Sequence, residues 1–101
     1  MPRLDIDPDA LADLDAIYDY IGRIRRSPET ADRVVVEIHG ACRLCASQPG
    51  IGELRPDLGP ELRVLAVGPH VVIYRPTEDG IRVLRIFDGR RDYPVLFRRA
   101  R

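Results

Sequence analysis

The stretch "HVVIYRPTEDGIRVLRIF", residues 70–87, decides the fold. Its first part, "HVVIYR" (70–75), is rich in β-branched residues and almost unbroken in apolar character. That predicts a strand at the centre of a sheet. "PTEDG" (76–80) carries a turn-favouring Asp79-Gly80 pair, and "IRVLRIF" (81–87) is strand-like again. Two strand-forming runs joined by a short turn make an antiparallel hairpin. Strand alternation places Arg82 and Arg85 on opposite faces of it.

Moving towards the N-terminus, "LRVLAV" (62–67) and the turn "GP" add a further antiparallel strand, and "PGIGELRPDLGP" (49–60) is an irregular connector. Two helices precede it. Asp7 is a good N-cap with Pro8 at the first helical position, and Leu11, Leu14, Ile17, Tyr18, Ile21 and Ile24 recur at helical spacing. Asp9, Asp13 and Asp19 lie mostly off that stripe and read as a solvated face. Of Tyr18 and Tyr20, one is expected in the core and the other in solvent. Ser27 and Pro28 repeat the start signal. Ala31, Val34, Val35, Ile38, Ala41, Cys42 and Cys45 mark a second amphipathic helix, ended by "QPGIG" (48–52). The link at 25–27 is short, so the helices form an antiparallel hairpin. "RLDI" (3–6) reads as a short edge strand.

The order is β-α-α-β-β-β. The expected class is α+β, with the helical hairpin packed on one face of a three- to four-stranded, mainly antiparallel sheet. Residues 1–101 are expected to form one domain. Beyond the hairpin come the corner "DGRRDYP" (88–94), a short terminal segment "VLF", and the basic tail "RRAR".

Composition removes several function classes. All sixteen basic residues are arginine, so a phosphate-binding loop has no lysine to use. Ser27 and Ser47 read as helix-end residues, not as a nucleophile elbow. Cys42 and Cys45 fall on the apolar face of a helix and read as buried thiols, so neither metal nor cofactor is expected. No apolar run reaches the length of a membrane span and no signal peptide is visible, which makes the cytoplasm the expected location. Net charge is zero, but residues 1–50 carry 6 Arg against 9 acids, and residues 51–101 carry 10 Arg against 7. The basic half suits nucleic acid or an acidic protein partner.

The stretches "IDPDALADLDAIYDYI", "SPETADRVVVEI", "QPGIGELRPDLGPELR", "VGPHVVIYRP" and "GIRVLRIFDGRRD" cover residues 4–92. In that order and spacing they resemble the toxins of the RelE/ParE superfamily of bacterial toxin–antitoxin pairs. The "PGIG" connector and the "VIYR" strand make the ParE branch the closer one. The resemblance implies a toxin that inhibits DNA gyrase and is neutralised by a ParD-like antitoxin in a hetero-oligomer, without sequence-specific nucleic-acid binding of its own. The alternatives are a ribosome-dependent mRNA endonuclease of the RelE type and an inactive member that still binds antitoxin.

The nuclease pattern maps incompletely. Arg91 sits at its late-strand arginine, Val71 stands where a sheet arginine belongs, and Phe97 stands near its C-terminal tyrosine. Arginine is too basic to serve as a proton acceptor. A nuclease would therefore rest on Arg91, His70, Arg63 and Tyr93. For target or partner binding the resemblance points to Arg63, Tyr74, Arg75, Arg85, Arg90, Arg91 and Phe97. For the antitoxin groove it points to Leu14, Ile17, Tyr18 and Ile21 along the first helix.

Overall fold

The computed structural model describes residues 2–100, so Arg101 of the basic tail lies outside it. The chain runs β1 (Arg3–Ile6), α1 (Pro8–Asp19), a π-helical turn (Tyr20–Ile24), α2 (Pro28–Ser47), β2 (Glu53–Leu54), β3 (Arg63–Val67), β4 (His70–Pro76), β5 (Gly80–Asp88) and α3 (Tyr93–Arg99). This is the expected α+β arrangement. The sheet is wider than three or four strands, with order β1-β5-β4-β3-β2, because the connector contributes the two-residue β2. The apolar "HVVIYR" run lies at its centre in β4, and β1 is an edge strand, parallel to β5. Gly80 permits that edge, since a side chain there would collide with the backbone of Arg3.

The sheet buries both faces. On one, α1 and α2 pack Ala10, Leu14, Ile38, Cys42 and Cys45 against Val72, Tyr74, Ile81, Val83 and Ile86. On the other, Ile73 and Phe87 meet Leu58 and Leu62 of the connector and Phe97 of α3. Burial pushes the Cys42 thiol up to about 12, so it is a protonated core group at neutral pH.

Local signals explain the helices. Asp7 caps α1 by accepting from the Asp9 N–H at 2.9 Å, with Pro8 in the first turn. Ser27 holds the cap position of α2, but its hydroxyl bonds to the Thr30 hydroxyl at 2.7 Å and not to a backbone donor. The "VLF" segment is helical: Asp92 accepts from the Val95 N–H, and Pro94 sits in the first turn of α3. The buried line of α1 starts at Ala10, leaving Leu11 half in solvent. Tyr18 and Tyr20 both face outward, and the Tyr18 hydroxyl donates to Asp32 at 2.9 Å.

One irregularity in the β4–β5 ladder changes which residues share a face. Tyr74 pairs with Val83 and Ile73 with Arg85, so Leu84 is an extra residue. The bulge reverses the alternation. Arg82 lies opposite Arg75 and Arg85 opposite Ile73, which puts both arginines on the α3 face, not on opposite faces.

Candidate functional site

A cavity opens where β5 runs past the end of β1. The β1–β5 pairing stops at Ile6 and Val83, leaving the later part of β5 without a strand on that side. Asp13 of α1 supplies the missing acceptor: its carboxylate takes the Ile86 N–H at 2.8 Å and the Arg85 guanidinium at 2.8 and 3.0 Å. This partly buried pair holds Arg85 over the Phe87 ring, 4.6 Å from its centre, and raises the Arg85 pKa through the carboxylate hydrogen bond. Asp13 was expected in solvent; only its distant partners in β5 reveal its role.

The cavity holds about 440 Å³. Its helical wall is Ile17, Tyr20, Ile21 and Val34, its sheet wall is His70 and Ile86, and Phe87, packed in the cluster on the other face, completes its lining. Arg25, Arg90 and Arg91 stand around it. The π-helical turn brings Arg25 to this position: its N–H bonds to the Tyr20 carbonyl, a wider loop than an α-turn makes. Arg26, with φ of 55°, then turns the chain into α2.

The "DGRRD" corner has two different arginines. Arg90 folds back on Asp88, donating from Nε and Nη2 to its carboxylate oxygens at 3.1 and 2.8 Å, and the Arg90 backbone N–H donates to the same group at 2.9 Å. These bonds hold the Asp88 carboxyl well below its usual range. The exposed Arg91 side chain has no ion pair among the described residues, and neither does that of Arg25. Beside them His70 is buried, and its Nδ1 has no hydrogen-bond partner. Burial lowers its pKa, and the imidazole is neutral at neutral pH.

Ile17, Ile21, His70, Arg85, Arg90 and Arg91 thus meet at one cavity. The other sequence candidates lie elsewhere. Tyr74 is fully buried; its hydroxyl accepts the Gly52 N–H and donates to the Pro49 carbonyl, each at 2.8 Å. Burial pushes its pKa up to about 12. Arg63 donates to the carbonyls of Gly50 at 3.2 Å and Gly52 at 2.7 Å. These two residues pin the connector, so Tyr74 has no surface for a partner. Phe97 is also in the core, and Arg75, although exposed, lines a separate cavity of about 300 Å³ with Leu84 and Phe97. Leu14 is buried under α1, and Tyr18 stands on the outer surface with Asp32.

Tyr93 belongs to the other face of the sheet. It packs with the α3 cluster, and its hydroxyl accepts from Arg55 Nη1 at 2.9 Å. Arg55 is itself bound to both oxygens of Asp57, at 2.9 and 2.8 Å. His70, by its register opposite Val67 and Asp88, shares the helical face with Val72 and Tyr74.

Comparison with known proteins fits this architecture. A family model described as the ParE toxin of the type II toxin–antitoxin system, parDE, matches residues 4–93. A solved structure of the chromosomal ParDE toxin–antitoxin system from P. aeruginosa contains a chain 33% identical to this one. That match has a TM-score of 0.70 and covers 87% of this chain and 96% of that one. No curated protein matches. On the extent of the family match and the identity of the solved relative, the chain belongs to the ParE toxin family of type II toxin–antitoxin systems.

Proposed function

We propose that this toxin, a single domain over residues 1–101, inhibits DNA gyrase in the cytoplasm and is neutralised there by a ParD-like antitoxin. The observation that carries the choice of gyrase over mRNA is the separation of His70 from Tyr93. Cleavage through a 2′-hydroxyl needs a proton acceptor, a proton donor and cations at one phosphate. His70 lies on the helical face, Tyr93 packs with the α3 cluster on the other, and Arg63 is bound to the connector. The free cation of Arg91 remains available for docking.

A purified gyrase reaction tests this. The expected result is lost supercoiling with linear DNA appearing after the enzyme is denatured and digested. Unaffected supercoiling, with codon-spaced cuts in ribosome-bound mRNA, overturns it. The nuclease reading has one observation in its favour, the unpartnered His70 Nδ1 in the cavity that Arg91 also lines. Growth unaffected by expression without antitoxin would instead identify an inactive antitoxin-binding member.

A further inference from the structure

We infer that the cavity between α1, the π-helical turn and the end of β5 binds a nucleotide, with the base inside and the phosphate held by Arg25 and Arg91 at the rim. Three observations select that class. Charge comes first. Asp13 and Asp88 line the cavity, but each is already matched, by Arg85 and Arg90. The exposed guanidiniums of Arg25 and Arg91 have no ion pair among the described residues. They come from two separate segments and so suit an anion with several oxygens; the guanidinium fork matches phosphate geometry. The second observation is His70. It is more than nine-tenths buried, lines the cavity, and its Nδ1 has no hydrogen-bond partner. An aliphatic guest leaves that atom unsatisfied. The edge of a base carries both donors and acceptors, so it can pair with either tautomer of the imidazole. The third is size and lining. About 440 Å³ lies in the range of small-molecule sites, Ile17, Ile21 and Val34 give an apolar wall, and the exposed Tyr20 offers a flat ring for stacking.

This is binding without cleavage: no proton is transferred, and neither Arg63 nor Tyr93 lines the cavity. The inference goes beyond the gyrase reading and does not depend on it. The recognising chemistry is the same for a free nucleotide and for the phosphate-bearing end of an unpaired strand. A base paired within a duplex hides the edge that would meet His70.

The test is calorimetric titration of the full chain with AMP, adenosine and inorganic phosphate. AMP should bind saturably and more weakly as salt is raised. Adenosine and phosphate should each bind at least about tenfold more weakly than AMP. Arg25→Ala and Arg91→Ala, both at exposed positions, should bring AMP down to the level of adenosine. Ala16→Trp, which fills the cavity from an exposed position of α1, should abolish binding of both. Circular dichroism checks that the variants fold. In an NMR spectrum of the two imidazoles, AMP should shift His70 and leave His39, which does not line the cavity, unmoved. A 5′-phosphorylated single strand that binds at least as tightly as AMP assigns the ligand to a strand end. Binding of AMP alone assigns it to the free nucleotide. Absent AMP binding, or equal affinity for AMP and phosphate, overturns the site. So does equal affinity for a glutamate-rich peptide, which would mark a surface for acidic protein, or duplex DNA binding as tightly as AMP and unaffected by Ala16→Trp. The gyrase assay is a separate readout, so either reading can fail alone.

Discussion

The connector at Pro49–Gly52 and the corner at Asp88–Asp92 are both turns with arginines beside them, yet they are built in opposite senses. In the connector, Arg63 and Tyr74 direct their polar atoms inward onto backbone groups. In the corner, Arg90 is matched by its near neighbour Asp88, and Arg91 directs its charge outward. The difference teaches that residue type does not separate structural from docking arginines. The decisive question is whether the donors already have acceptors within the chain.

Substitutions can break this contrast. The largest effect is expected at Gly52, where an added Cβ would lie 2.6 Å from the Tyr74 hydroxyl. Gly52→Val should lower unfolding free energy by about 3 kcal/mol in urea denaturation. Tyr74→Phe leaves the Gly52 N–H and Pro49 carbonyl without their bond and should cost about 2 kcal/mol in the same measurement. A smaller effect belongs to His70. Burial depresses its pKa from 6.5, so the unfolded chain takes up a proton that the folded chain refuses. Stability should be complete above pH 6.5 and fall as the pH drops through that value, and His70→Gln should flatten the decline. Thermal melts across that range would decide it. At the far end is Arg91→Ala, expected to change stability by less than about 0.5 kcal/mol while reducing growth inhibition. Full toxicity in a folded variant would remove the corner from the functional surface.

Much of this fold was legible because its signals are local. Asp7-Pro8 and Ser27-Pro28 mark helix starts, and the β-branched run of 70–75 marks the central strand. The α3 helix was missed because "VLF" alone resembles a strand end, although Asp92 and Pro94 carry the same start signal as the other helices. The bulge at Leu84 has no sequence mark: facing partners in β4 decide where an extra residue is accommodated. For the same reason Asp13 was unreadable as an anchor, since Arg85 and Ile86 lie more than seventy positions away in the chain. The site was half legible. Ile17, Ile21, His70 and the Arg90-Arg91 corner were visible as candidates, whereas the π-helical turn that brings in Arg25 was not.

The parallel pairing of β1 with β5 has a consequence for synthesis. Residues 3–6 find their partners at 80–83, and Asp13 waits for Arg85 and Ile86. Contacts of such high sequence separation form late, because the intervening chain must first be ordered. The cavity wall that includes Phe87, Arg90 and Arg91 likewise requires residues 87–91. A nascent chain on the ribosome can form the helical hairpin early, but it has neither the closed sheet nor the arginine corner until residues 80–91 have emerged. The topology thereby delays the proposed harmful surface until the segment through Arg91 has been made.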